Sequence, residues 1–369
     1  MVNAAGLLAL CNTTVNPVPF SPGFDIASVV PYVQTLPVYS WSLASASEAL
    51  LEYYNPHLSV FGPSPFPVQT VAEDSVIALQ YAASKIVFGT GADTLAPGLG
   101  STADAAGLGV SAVLLGKTNA TYAKAVTQQL DYITQSAPRY SNGAISHRTD
   151  VPELWSDFIY MGPPFMAYVA ADQKNLALLQ TAYVQCGLYR QILKSPSGAW
   201  EHIVGPEAPD LGLYSTGNGF AAGGMVRVLA TVMKAPVAIA AKWRPQAISD
   251  LTHWIQEIID GAMSFSTDNG LLRNYLSATT SDGGFGEITG TSMLVAPHTF
   301  GKKYIQWADK MRGTLAKHIS SNGIAAPTVN PLNWTDPTPY TTGSPEGQNF
   351  VVLMYAGWRD CVLADICSK

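Results

Sequence analysis

Charge is scarce in this chain. Of its 369 residues only 12% are Asp, Glu, Lys or Arg, and no lysine or arginine occurs before Lys85. The formal net charge is −6 and there is no basic cluster. Such a surface has nothing with which to neutralise a run of phosphates, so nucleic acid is excluded as a partner. Mean hydropathy is +0.14, yet no apolar run approaches the roughly 18 residues that a membrane-spanning helix requires. No membrane partner is expected. The sequence also lacks His-Glu-x-x-His, Cys-x-x-Cys and Gly-x-Ser-x-Gly, and its six histidines are dispersed. Neither a zinc site nor an α/β-hydrolase nucleophile is indicated. Phe88-Gly-Thr-Gly91 has two glycines of a dinucleotide loop but no third, and no βαβ pattern follows, so no cofactor is expected.

Cysteine is rare, at 11, 186, 361 and 367. Cys11 near one end could be bridged to Cys361 or Cys367 near the other in an oxidising compartment. Cys186 falls in an apolar helical pattern that suits a buried free thiol. Asn12-Thr-Thr, Asn119-Ala-Thr and Asn333-Trp-Thr are sequons for N-glycans. The segment from Met1 to Cys11 has no positively charged n-region and reads as a mature or recombinant start. A secreted, extracellular protein is the expectation.

What the chain does have is helical periodicity. Ile248, Leu251, Ile255, Ile258, Ile259 and Ala262 share one helix face. So do Tyr304, Ile305, Ala308, Met311, Leu315 and Ile319, and a third stripe is Tyr122, Val126, Leu130 and Ile133. The pattern predicts twelve helices, near 24–36, 40–54, 70–88, 104–116, 119–136, 155–172, 174–194, 214–234, 245–266, 287–300, 302–320 and 345–366. Short links at 116–119, 172–174 and 300–302 force antiparallel neighbours, so the unit is a helical hairpin. Six hairpins make an all-α (α/α)6 barrel. No charged or low-complexity linker divides the chain, which predicts one domain over 1–369 with an extended segment at 1–22. Long Gly/Pro/Ser-rich loops at 89–103, 137–154, 195–213, 267–286 and 321–344 are expected to wall a cleft at one end of the barrel. His147, Trp200, His202, Trp334 and Tyr340 fall in these loops. Pro163-Pro164 suggests an irregular first turn over 155–162, with regular helix starting near Pro163.

The densest chemistry lies in His147-Arg-Thr-Asp-Val-Pro-Glu-Leu-Trp155-Ser-Asp157-Phe-Ile-Tyr-Met-Gly-Pro-Pro-Phe165. A histidine, a tryptophan and a carboxylate within eleven residues can hold a sugar ring on an aromatic face beside an acid. On its own, Trp-Ser-Asp reads more readily as a helix cap with a core tryptophan. The stretch resembles the Trp-x-Asp-x-x-Tyr-Met-x-x-Pro-Phe signature of the unsaturated uronyl hydrolases, glycoside hydrolase families 88 and 105. The resemblance extends from about residue 40 to the C-terminus. Tyr214-Ser-Thr-Gly-Asn-Gly-Phe220 is similar to the family's Trp-x-Arg-Gly-Asn-Gly-Trp segment, and Gly198-Ala-Trp200-Glu-His202 matches the place of a substrate-contacting histidine. Asp104-Ala-Ala-Gly resembles the segment of a second active-site aspartate, and Trp41 matches an aromatic position. Glu287-Ile-Thr-Gly-Thr-Ser-Met and Ser344-Pro-Glu-Gly-Gln-Asn-Phe350 are fainter echoes. In one departure, Thr216 stands where the family has an arginine, and a threonine cannot offer a guanidinium fork to a carboxylate.

The resemblance implies an (α/α)6 glycoside hydrolase that hydrates the C4=C5 double bond of a Δ4,5-unsaturated uronic acid at the non-reducing end of a lyase-generated oligosaccharide. Protonation at C4 and addition of water at C5 give a hemiketal that opens and releases the aglycone. This is unlike displacement at the anomeric carbon between two flanking carboxylates. Asp157 is implied as the catalytic acid, with Asp104 as its partner. His147, His202, Thr216 and Asn218 would face the sugar, and Trp41, Trp155 and Phe220 would stack on it. To donate a proton, Asp157 needs a raised pKa. Desolvation beside Trp155 and repulsion from Asp104 act that way, while a helix N-terminus opposes them. From the residues alone Asp104 is as readily a plain N-cap, and Phe220 a core residue. Two other readings stay open: an exo-glycosidase or lyase on a saturated uronate or rhamnose-containing oligosaccharide, and a catalytically silent sugar-binding barrel.

Overall fold

The computed structural model describes residues 16–279, 282–296 and 302–368. It contains the twelve expected helices: α1 Ile26–Thr35, α2 Ser40–Tyr54, α3 Ile77–Lys85, α4 Gly109–Gly116, α5 Ala120–Asp131, α6 Phe158–Asp172, α7 Leu176–Leu193, α8 Ser215–Lys234, α9 Arg244–Met263, α10 Ile288–Val295, α11 Lys302–Leu315 and α12 Pro345–Leu363. None of the described helices is long and apolar enough to cross a membrane.

The even-numbered helices line the inside and the odd-numbered ones surround them, as composition dictates. α10 buries all eight of its residues and α6 buries every residue from Phe158 to Ala171. A helix apolar all round must be covered all round. α9, by contrast, buries a single stripe that includes Ala247, Leu251, Ile255, Ile258, Ile259 and Ala262. Around the inside, α2 packs on the turn at 105–108 that leads into α4, that turn packs on α6, α6 on α8, α8 on α10, and α10 on α12. α12 returns to α2, and one apolar core runs through all of them.

Two expectations are corrected. α6 does not begin near Pro163; it starts at Phe158 and runs through both prolines. Pro163 has no N–H to give to the Ile159 carbonyl four residues back. Gly224 of α8 packs against that same carbonyl, so closely that a Cβ there would lie 2.0 Å from the oxygen. The neighbouring backbone fills the space beside the altered turn and steadies the helix.

The second correction concerns the disulfide. Cys361 is bonded to Cys367, with Cα atoms 5.3 Å apart. After α12 the chain doubles back: the Ile366 and Cys367 amides both donate to the Cys361 carbonyl, and Asp365 adopts φ +56°. The reversal carries Cys367 onto Cys361 and leaves neither for Cys11, which lies outside the described residues. Cys186 is a buried free thiol.

Candidate active site

Because each inner helix follows an antiparallel outer one, all six inner helices start at the same end. Trp41 is in the first turn of α2, Asp104 precedes the turn into α4, and Asp157 precedes α6. Thr216 is in the first turn of α8, Glu287 precedes α10, and Glu346 is in the first turn of α12. These positions converge, since the Glu346 carboxyl feels the charges of Asp157, Glu287 and Asp104 and accepts a hydrogen bond from Trp41.

Loops stitched to one another set the geometry. Leu154–Trp155 pairs antiparallel with Ile203–Val204, with Trp155 opposite Ile203. The Ser156 amide then donates to the His202 carbonyl at 2.9 Å. This ribbon sets Asp157 beside His202. A second stitch joins the Asp104 loop to the His147 loop: the Thr102 amide donates to the His147 carbonyl at 2.8 Å, and Thr102 Oγ1 donates to the Ser146 carbonyl at 2.5 Å. Glu153, fully buried, ties the wall together. It accepts from Trp155 Nε1 at 2.7 Å through one oxygen and from the Glu207 and Ala208 amides at 2.9 Å through the other.

At the centre His202 bridges two carboxylates. Its Nε2 lies 3.3 Å from Asp157 Oδ2 and its Nδ1 2.9 Å from Asp210 Oδ2. The Tyr275 hydroxyl donates to the same Asp210 oxygen at 2.5 Å, and the Gly212 amide to the other at 3.0 Å. Burial pushes the imidazole toward neutrality, but the two carboxylates outweigh it and hold its pKa up at about 9. His202 is therefore an imidazolium at neutral pH.

Asp157 stands where an N-cap would, but its side chain makes no capping hydrogen bond; it turns to His202 and to Ser156 Oγ, at 3.2 Å. The cap reading fails here. The opposing effects on the Asp157 pKa resolve against the raised value that an acid would need. Burial would raise the Asp157 carboxyl, but the hydrogen bond and charge of His202, aided by His147, bring it below the ordinary aspartate range. Asp104 is the raised group. Burial, against a hydrogen bond from Ser101 and with the charge of Asp157 added, pushes it up to about 7. Burial likewise takes Glu346 to about 8. At pH 6 the mouth thus holds two protonated carboxyls, Asp104 and Glu346, beside an ionised Asp157.

Aromatic rings form the walls. Trp155 stacks on His147 with centroids 4.7 Å apart, and Trp334 lies edge-on to Trp155 at 5.5 Å and to His202 at 5.4 Å. Tyr214 leans on His202 at 4.6 Å, and Tyr39 lies parallel to Trp41 at 4.9 Å. Burial lowers the His147 pKa to about 4, so its ring is neutral, and its Nδ1 has no hydrogen-bond partner among the described residues. The Asp157 side chain keeps 19% of its surface exposed. It is a reachable carboxylate on an otherwise enclosed floor.

The structure thus gathers Asp157, Asp104, Trp41, His147, Trp155 and His202, with Thr216 buried at the same end. Two other expected contacts are corrected. Asn218 spends its whole amide on scaffolding: Oδ1 accepts from the Trp200 amide at 2.7 Å, and Nδ2 donates to the Trp200 and Tyr214 carbonyls at 2.9 Å. Phe220 is in the core, wedged against Tyr160 and Phe350 at 5.3 and 5.1 Å, which leaves no face for a sugar. Sequence reasoning missed Glu346, Asp210, Tyr275 and Tyr214 as members of the site. Among the described residues no cluster of His, Cys, Asp and Glu could hold a metal ion. Of the sequons, Asn119 and Asn333 are exposed, and Asn12 lies outside the described residues.

No protein-family model and no curated protein matches the sequence. Solved structures do match in fold. A possible member of glycoside hydrolase family 105 from Klebsiella pneumoniae superposes with a TM-score of 0.67 at 15% identity, covering 96% of this chain and all of that one. A family 88 glycosyl hydrolase from Bacteroides vulgatus gives 0.63 at 13% identity, over 90% and 97% of the two chains. An unsaturated glucuronyl hydrolase specific for heparin gives 0.63 at 10% identity, over 94% and 98%. This chain has the fold of the family 105 and family 88 glycoside hydrolases.

Proposed function

We propose that the protein is a glycoside hydrolase that removes a Δ4,5-unsaturated uronyl residue from the non-reducing end of lyase-generated oligosaccharides by hydrating the C4=C5 bond. The observation that carries this reading is the Asp157–His202 ion pair on an aromatic-walled floor. In the resting site the pair's proton sits on His202. A sugar ring entering between Trp155, Trp334 and Trp41 displaces water, and charge separation becomes more costly as the local dielectric falls. The proton then crosses to Asp157, which delivers it to C4. The cation that develops at C5, shared with the ring oxygen, is attacked by water. The proton of that water returns to Asp157, and the hemiketal opens to free the aglycone. One carboxyl serves as acid and then as base. Asp104 and Glu346, protonated, donate hydrogen bonds to the sugar.

Secretion and N-glycosylation belong to the same proposal, supported by the Cys361–Cys367 disulfide and the exposed Asn119 and Asn333. The test of activity is incubation with lyase products of several uronate polymers while the ultraviolet absorbance of the double bond is followed. Loss of absorbance is the expected result. Sugar release with the double bond intact points instead to an exo-glycosidase or lyase, the reading that Thr216 in place of an arginine favours. Binding without any reaction points to a silent sugar-binding barrel.

A further inference from the structure

Among the described residues, Asp104, Asp157 and Glu346 at the mouth of the ring have no ion pair to a guanidinium or ammonium group. The group ion-paired to Asp157 is His202, at 3.3 Å. Arg148, next to His147, is already engaged: Nε and Nη2 each donate to Asp150 at 3.2 Å, and Nη2 lies 3.9 Å from Glu207. Arg227, inside the ring, is bound by Glu52 and the Gly223 carbonyl. His202 is itself shared between Asp157 and Asp210. His147, only 6% exposed, offers an unpartnered Nδ1 but no charge. Among the described residues the site therefore offers an unpartnered polar atom, His147 Nδ1, and no lysine or arginine paired to its three carboxyls.

We infer that this site takes its uronyl residue with the carboxyl uncharged, as an ester, and discriminates against the free carboxylate. The inference rests on the proposal that the sugar is a uronyl one. A carboxylate placed here would face the ionised Asp157 in a largely buried setting, where like charges repel strongly, while the protonated Asp104 and Glu346 supply no positive charge to offset it. It would also favour the protonated forms of those acids still further, so entry would become coupled to proton uptake. An ester keeps the two acceptor oxygens and loses the charge. Its carbonyl can accept from the protonated Asp104 or Glu346, and its alkyl group can lie on the indoles of Trp155 and Trp334.

The test separates binding from turnover. At pH 7 the full-length protein is titrated calorimetrically with the saturated methyl glycoside of glucuronic acid and with that of its methyl ester. The ester is expected to bind at least ~10-fold more tightly. Equal or tighter binding of the free acid, or binding of neither, overturns the inference. In parallel, an unsaturated uronyl disaccharide is offered as acid and as ester while the double bond is followed. Faster consumption of the ester supports both proposals, and faster consumption of the acid overturns this one while leaving hydration intact. Ester binding with no loss of the double bond overturns hydration and leaves the charge discrimination standing.

Discussion

His202 Nε2 approaches Asp157 Oδ2 at 3.3 Å while its Nδ1 is held by Asp210 at 2.9 Å. The second contact decides how the first behaves. Asp210 fixes the ring orientation and stabilises the imidazolium, so that the proton between His202 and Asp157 rests on the histidine. Tyr275 and the Gly212 amide in turn hold Asp210.

Asp210→Asn removes a charge from the Nδ1 side of His202 and lowers the pKa that the wild-type site sustains near 9. The alkaline limb of the pH–kcat/KM profile is expected to move toward neutral pH. Tyr275→Phe, which removes only a neutral donor to Asp210, should produce a smaller shift. An unchanged alkaline limb in Asp210→Asn would show that His202 does not carry the proton used in turnover.

Stability should fall between pH 7 and pH 9. His202 is raised to about 9, so its stabilising contribution is complete below its unfolded pKa and is lost as pH climbs through 9. Glu346 and Asp104, raised to about 8 and about 7, bind protons in the folded state that the unfolded chain has already released. Forcing them to ionise costs folding free energy in the same direction. Thermal melts across this range should show a declining Tm, and Glu346→Gln should flatten the decline. A Tm that rises toward pH 9 would contradict the charge arrangement of the site.

The alternation of inner and outer helices was legible because burial is written in periodicity: α9 shows one stripe, whereas α6 is apolar nearly all round and α10 carries only small polar residues among its apolar ones. The ends of helices were less legible. The expected helix at 70–88 is regular only from Ile77 to Lys85, since Glu73–Ser75 forms a tight 3-10 turn whose Ser75 hydroxyl bonds back to Ala72. At the site, the residues close together in sequence, His147, Trp155 and Asp157, were found. Asp210 was not, although it lies only eight residues after His202: Gly205-Pro206 and Pro209 mark a loop, but nothing in the sequence says that it folds back to pair Ile203 with Asp210. Glu346 and Tyr275 reach the site from other helices and loops, and only tertiary structure brings them there. The sign of the Asp157 shift could not be read from the sequence for the same reason: the histidine that decides it sits 45 positions away in the numbering.

Gly224 tests the packing. Alanine there would press its Cβ on the Ile159 carbonyl, backbone that cannot swing away, and should cost ~1–3 kcal/mol. Gly313, exposed in α11 with nothing within 4 Å of a built Cβ, is the control. Its change to alanine should be neutral or stabilise by up to ~1 kcal/mol. Denaturant melts of the two variants measure both, and equal stabilities would argue against the close α6–α8 approach.

Asp157→Asn preserves shape and removes the titratable proton. The most direct measurement is the rate of double-bond loss for this variant beside the wild type, with substrate affinity measured in parallel. Turnover is expected to fall by at least ~10²–10⁴-fold while affinity changes far less. Near-normal turnover in Asp157→Asn would contradict the assignment of Asp157 as the group that protonates C4.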